Sequence, residues 1–450
     1  MPDVAFEDWS ATDLLDAFRD QRATPLDAAD AYLARIARYD ASLNSFLTVE
    51  PRQVTAAAAR STARYAAGTA RPLEGLPIAV KDMIDTAGLR TTYGSAIFRD
   101  HVPATDARVI TALQNAGAIV LGKTATHEYA WGITTDGHAY RPTRNPWDTA
   151  RTAGGSSGGS AVAVAARLAP VAIGTDTVGS VRIPAAFCGV IGFKPTFGAI
   201  DRGGVFQLAP SLDHVGLIAR TVDDVRLLWK MCAQGPPAPT ERTAPPDVRI
   251  GAYLPPEGPG RLAVSRLREQ LNRIGLRTQT IAPFAEDALA VAAVVVGFEG
   301  LRVHRQKGLW PTRHAEYEPD VATRLSTAQQ LSDGDYASAK LARVGIREKA
   351  AEILETFDLI ISPVSLAQPL HLDDRSDASR TAFRRQVMSQ TALANLIGAP
   401  TLTLPVGLDG SGLPLGAQLM AAPGRDGFLL DVAARIAEVT SPSSAPPSVL

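Results

Sequence analysis

Two serines and a lysine stand in this chain where acyl transfer could be performed. Gly154 to Gly189 reads GGSSGGSAVAVAARLAPVAIGTDTVGSVRIPAAFCG, with two small-residue loops flanking an apolar run. The first loop holds Ser156 and Ser157 among Gly154, Gly155, Gly158 and Gly159. The second, Asp176-Thr177-Val178-Gly179-Ser180, ends in another serine. Glycine reaches backbone angles that other residues avoid, so a serine in such a loop can sit where backbone N–H groups converge. Converging N–H groups are what a developing oxyanion needs. A Gly/Ser-rich loop is otherwise a flexible linker, but the apolar run beyond it argues against a linker here.

Lys81 directly follows the apolar stretch Leu76-Pro-Ile-Ala-Val80. It reads either as a strand-end lysine reaching water or as a lysine held in a dry site. Burial disfavours the charged form and lowers the amine's pKa toward neutrality. A neutral amine can serve as a general base, and Ser-Lys pairs are an alternative to the Ser-His-Asp triad.

Other chemistries fit less well. Gly117-Ala-Ile-Val-Leu-Gly-Lys-Thr124 matches the phosphate-loop pattern, but a helix precedes Gly117 and the intervening residues are strand-like, so the structural context is wrong. There is no H-E-x-x-H and no Cys/His ligand cluster, so no metal and no other cofactor is expected. The histidines are scattered; His127 and His138 flank Tyr129 and Trp131 and could line a pocket. Spacing alone leaves a His-based triad open, but the G-x-S-x-G elbow is missing.

The elements around these residues alternate. Residues 10–67 read as helices, with Pro51 opening one at its first position. Strands are expected at 76–80, 118–121, 171–173, 190–193, 248–254, 359–361, 400–406 and 415–419. Helices are expected at 107–115, capped by Asp106, and at 160–168, 221–232 (capped by Thr221), 262–274, 287–303, 383–397 and 427–439, with 319–356 mostly helical. Residues 235–247 are Pro-rich and polar and read as a linker or surface loop. The pattern predicts an α/β fold around one mixed sheet. Residues 1–68 form an N-terminal helical segment packing on a 69–440 domain, and 441–450 a disordered tail.

Bulk composition bounds the partners. The chain has 450 residues and a net charge of −1, so no basic field invites nucleic acid or an anionic membrane. Cys188 and Cys232 are too few for a disulfide scaffold. The N-terminal MPDVAFEDWS is acidic and lacks a secretory pattern. The longest apolar run, 288–298, falls short of the roughly 20 residues that span a bilayer. A cytoplasmic enzyme is the expectation.

Together the motifs resemble the amidase signature family. GGSSGGS at 154–160, the serine after GTDTVG and the following VRIPAAFCGVIGFKPT carry the likeness. So do LPIAVKDMIDTAG around Lys81, GKTATHEYAWG (122–132), NPWD (145–148), SLDHVGLIARTVDD (211–224), DLIISPV and NLIGAPTLTLPVG with GLPLGAQLM. The likeness spans residues 70–440. It implies a single large α/β domain, a mixed sheet covered by helices on both faces, and a serine amide hydrolase acting on a small-molecule amide. It assigns Ser180 as nucleophile, Ser156 as bridging serine after a cis bond from Gly155, and Lys81 as base. The oxyanion hole would be backbone N–H groups of Thr177, Val178, Gly179 and Ser180.

One residue departs from the family pattern: Val178 stands where a glycine is usual. If that position needs positive φ, a β-branched residue is strained there. Asp176 and Arg182 read as an ion pair fixing the loop, or Arg182 as a grip on a substrate carboxylate. Tyr129, Ala130, Trp131 and the stretch Gly203–Gln207, with Phe206, are the pocket candidates, and helices within 285–345 are expected to cover the site. Two alternatives accompany the hydrolase: a glutaminase of the amidotransferase A type, working within an assembly, and a catalytically impaired member acting as a binding protein. A homo-oligomer is left open.

Overall fold

The computed structural model describes residues 6–137, 139–235, 247–284, 286–439 and 446. His138, most of the expected linker and all but one residue of the expected tail lie outside the described residues. Among the described residues eleven strands form one sheet. They are β1 (Phe46–Val49), β2 (Pro77–Lys81), β3 (Ile119–Thr124), β4 (Val171–Asp176), β5 (Ile191–Lys194), β6 (His214–Ala219), β7 (Ile250–Tyr253), β8 (Thr278–Ile281), β9 (Leu359–Pro363), β10 (Thr401–Leu408) and β11 (Pro414–Met420). Their order is β1-β3-β2-β4-β6-β5-β10-β11-β9-β7-β8.

The sheet is mixed. β2 runs parallel to both β3 and β4, and β7 parallel to β8 and β9, while the remaining pairs are antiparallel. Every residue of β2, β4 and β6 is buried. Strands covered on both faces need continuous apolar runs rather than alternation, and PIAVK and VAIGTD supply them. The outermost β1 and β8 are short and partly exposed, as edges usually are.

Helices cover both faces, and the apolar side chains fall into two main clusters. One joins Leu14, Tyr32, Ile78, Val225, Leu267 and Leu430. The other joins Trp131, Val178, Val295, Leu325 and Leu396. The α/β architecture is therefore the one expected.

Some elements differ from the sequence reading. Residues 46–49 lie in the stretch read as helices but pair with β3; four residues are too few to show a strand period. β6 and β8 were not foreseen, the second because TQTI is polar and exposed. Arg182–Cys188 is a helix despite Pro184, which falls in its first turn, where proline is tolerated. Asp106 is not the helix cap: Ala107 holds that position without a side-chain bond. The Asp106 carboxylate instead accepts from the Ala87 amide at 2.8 Å. The phosphate-loop match is a strand: Ile119–Thr124 is β3, and Lys123 is buried against the Ile84 carbonyl and Thr91.

Candidate active site

The site forms where β2 and β4, side by side and parallel, reach their C-terminal ends. Val80 pairs with Ile173, so Lys81 emerges level with Gly174 and its side chain reaches Thr175. Its side chain is fully buried. Nζ lies 2.7 Å from Ser156 Oγ, 2.7 Å from Thr175 Oγ1 and 3.4 Å from the Thr175 carbonyl. Burial pulls the pKa of Lys81 from its usual 10.5 down to about 7, with Asp176 and Asp213 opposing the fall. The neighbouring Asp82 does not pair with Lys81. It accepts from the Thr92 amide and hydroxyl and lies 3.8 Å from Lys123.

Ser156 follows a cis peptide bond from Gly155 and precedes the buried helix Gly158–Ala165. The glycines of this loop permit close approach: a Cβ on Gly159 would collide with the Ala125 amide nitrogen and the Ser45 carbonyl. Ser157 anchors the loop to β4, its hydroxyl donating to the Thr175 carbonyl at 3.1 Å. Its amide donates to the Ser180 carbonyl at 3.1 Å, which ties the two serine loops together.

Ser180 stands between β4 and the helix Arg182–Cys188 and lines a cavity of about 380 Å³. Among the described residues its hydroxyl has no hydrogen-bond partner. The loop before it is organised by Asp176. This carboxylate accepts from Gly179 N (2.8 Å), Val181 N (3.1 Å), Arg182 Nε and Nη2 (both 3.1 Å) and Asn395 Nδ2 (2.9 Å). Although burial works against the charge, Arg182 and these donors hold the Asp176 pKa well below the usual carboxylate range.

The Gly179 amide is therefore engaged and is not free for an oxyanion, which corrects its expected role. The amides of Thr177, Val178 and Ser180 have no acceptor among the described residues. Val178 does not occupy positive φ; Gly179 does, at +116°. The valine is thus relieved of the conformation that would strain it, and its carbonyl accepts from Thr391 Oγ1 at 2.6 Å.

Arg182 does not reach the cavity. It is fully buried, and besides Asp176 it donates to Gln418 Oε1 (3.0 Å), the Thr391 carbonyl (3.0 Å) and Asn395 Oδ1 (2.6 Å). The loop-fixing ion pair is the arrangement observed, so Arg182 is corrected from substrate ligand to scaffold. Ala130 and Trp131 line the cavity, whereas Tyr129 and Phe206 do not. Those two rings pack on each other at 4.9 Å behind it.

Further lining comes from Leu208, from Ala292, Val296 and Gly297 on the helix Ala288–Gln306, from Arg324 on Pro319–Ala328, and from Arg384 and Met388 on Asp377–Ile397. Sequence reasoning missed Arg324, Arg384, Thr175, Asp213 and Asn395. Asp213 accepts from Thr177 Oγ1 at 2.7 Å, and burial raises its pKa to about 6. Nothing near Arg384 in the sequence marks it as different from neighbouring surface arginines. His127 does not line the cavity that holds Ser180; it pairs with Asp320 at 3.1 Å.

A family model described as Amidase matches residues 27–430. Among curated proteins, the A subunit of the glutamyl-tRNA(Gln) amidotransferase of Roseiflexus sp. (strain RS-1) is 35% identical, covering 91% of this chain and 92% of that protein. Among solved structures, 6-aminohexanoate cyclic dimer hydrolase complexed with substrate is similar, with a TM-score of 0.88, 26% identity and coverage of 99% of this chain and 100% of that one. Native peptide amidase from Stenotrophomonas maltophilia is also similar, with a TM-score of 0.82, 26% identity and coverage of 98% and 99%. The chain belongs to the amidase signature family.

Proposed function

We propose that this chain hydrolyses a C–N amide bond of a small molecule through an acyl-enzyme on Ser180, releasing ammonia or an amine. The observation that carries the reading is the fully buried Lys81 Nζ at 2.7 Å from Ser156 Oγ, with a pKa of about 7. A neutral lysine amine has two N–H donors and one lone pair. Donation to the Thr175 hydroxyl and carbonyl leaves the lone pair for the Ser156 proton, matching the three contacts.

As Ser180 Oγ attacks the amide carbon, its proton passes to Ser156, whose own proton passes to Lys81. Among the described residues the Ser180 hydroxyl has no hydrogen-bond partner to break away from, and the bond from the Ser157 amide to the Ser180 carbonyl holds the loops together. The carbonyl oxygen becomes an oxyanion, and the unengaged amides of Thr177, Val178 and Ser180 are its donors. Loss of one such donor costs about 3 kcal/mol in the transition state. Collapse breaks the C–N bond, Ser156 returns a proton to the leaving nitrogen, and Lys81 resupplies Ser156. Water, deprotonated by the same relay, attacks the acyl carbon; the bond from that carbon to Ser180 Oγ breaks, the acid leaves, and the proton held on Lys81 returns through Ser156 to Ser180.

A second reading has its own support. The curated relatives are glutamyl-tRNA(Gln) amidotransferase A subunits at 35% identity, and this chain could likewise release ammonia from glutamine within an assembly. The cavity argues for the first reading. Among the described residues no carboxylate lines it to receive the ammonium of glutamine, and most of its lining is apolar.

Intact mass after exposure to a serine-reactive fluorophosphonate tests the mechanism. A single adduct is expected on the wild type and none on Ser180→Ala, with slow labelling of Lys81→Ala. Ammonia release by the chain alone, from glutamine and from apolar amides, separates the two readings. Turnover of glutamine in preference to every other amide would favour the amidotransferase. An unlabelled but folded wild type would refute both.

A further inference from the structure

We propose that Arg384, assisted by Arg324, forms an anion subsite in the cavity and selects amides whose apolar body ends in a carboxylate. The inference rests on the hydrolase reading above and names its substrate class.

Arg384 lines the same cavity as Ser180, yet among the described residues it makes no hydrogen bond and no ion pair. Burial, with Arg324 and Arg380 nearby, lowers its pKa to about 9, so it is charged at neutral pH. Asp320 opposes this fall by its charge but is bonded to Arg324 and His127, and a guanidinium drawn partly out of water without a bonded counter-ion is unfavourable. Arg324 is also incompletely satisfied. Its Nη2 pairs with Asp320 at 2.7 Å and its Nη1 donates to the Trp131 carbonyl, but its buried Nε has no partner.

The carboxylates around this pair are already engaged. Asp320 takes Arg324 and His127. Asp136 takes Arg380 at 2.5 Å and Arg375 at 3.4 Å. Positive charge is therefore in excess at one part of an otherwise apolar cavity. A substrate carboxylate supplies the missing charge, and its planar geometry suits guanidinium N–H donors. Apolar lining such as Val178, Leu208, Val296 and Met388 accommodates a hydrocarbon body between that carboxylate and the amide at Ser180.

The test uses monoamides of linear dicarboxylic acids with about four to eight carbons, a span set by the hydrocarbon body that such pockets enclose. Each is measured beside the linear amide that carries methyl in place of carboxylate. The ratio of kcat/KM for the two is measured on wild type, Arg384→Gln and Arg384→Lys. Wild type should favour the carboxylate. Arg384→Gln should lower the ratio by about tenfold to a hundredfold, the range expected for a charge-assisted bond, with Arg384→Lys between. A ratio that Arg384→Gln leaves unchanged overturns the subsite, while fluorophosphonate labelling of Ser180 in the same preparations keeps the hydrolase reading standing. If no labelling occurs, that reading falls. Calorimetric binding of the dicarboxylic monoamides to Ser180→Ala then decides the subsite by itself. Weakening when Arg384→Gln is added supports it, and equal affinity in folded proteins, verified by circular dichroism, overturns it.

Discussion

The reactivity of Ser180 should switch off as pH falls through 7, because protonation removes the lone pair on Lys81. With a pKa of about 7, half the Lys81 amines are neutral at pH 7. An ordinary lysine at 10.5 would have roughly 1 in 3,000 neutral there, so burial enriches the base by roughly a thousandfold. The rate of fluorophosphonate inactivation reads this without a known substrate. It should reach a plateau above pH 8 and lie about tenfold lower at pH 6.

The same shift has a cost in stability. The folded pKa lies below the unfolded one, so the unfolded chain binds more protons between about pH 7 and 10.5, and stability rises with pH across that window. Below pH 7 the full penalty applies, on the order of 5 kcal/mol for a shift of this size. Lys81→Met removes it but leaves Ser156 and Thr175 each short of a partner, a loss of about 1–3 kcal/mol apiece. The variant should label slowly, as Lys81→Ala does, and be equally or more resistant to urea than wild type, with the advantage largest at pH 6. An inactivation rate still climbing past pH 9, or a Lys81→Met variant labelled at the wild-type rate, would refute the reasoning.

Other perturbations follow from the same geometry. Asp213 raises the Lys81 pKa by its charge, so Asp213→Asn should move the acid limb of the inactivation profile to lower pH; an unmoved limb would deny the coupling. Arg182→Ala leaves the buried Asp176 without its guanidinium, and breaking such a pair costs about 3–5 kcal/mol. Its urea midpoint should fall, and Arg182→Lys, unable to serve Gln418, Thr391, Asn395 and Asp176 at once, should recover little. Gly179→Ala places a Cβ 2.5 Å from Thr391 Oγ1 at a φ of +116°. The nucleophile loop must shift, and labelling should slow by at least about tenfold, the effect of 1.4 kcal/mol on a barrier.

Much of the sheet was legible because its central strands are buried on both faces. PIAVK and VAIGTD show as unbroken small or apolar runs, and those runs end at Lys81 and Asp176. Strands without that signature were not legible, and β6, HVGLIA, went unread although it is buried throughout. β8 is polar and exposed, and β1 is four residues long. Asp106 failed as a cap for a different reason: a residue type suited to capping found a better partner in the Ala87 amide, across the loop. Local preference is overruled when a tertiary contact satisfies the same oxygen.

The division within the site has the same origin. Lys81, Ser156 and Ser180 lie at strand ends or in glycine loops, where backbone constraint leaves a mark on the sequence around them. Arg182 lies next to them in sequence and looked equally fit for a substrate, yet its donors are all drawn inward by Asp176, Asn395, Thr391 and Gln418. Arg384 sits in the middle of a long helix, Asp377–Ile397, next to the exposed Arg385 and one turn from Arg380, and no local pattern separates it from them. What distinguishes Arg384 is a missing partner, which depends on where Asp136 and Asp320 point from other parts of the chain. On the proposed reading, the reaction is encoded where the backbone is constrained, and substrate choice where distant side chains fail to cancel one another's charge. That is why the first could be read along the chain and the second required the fold.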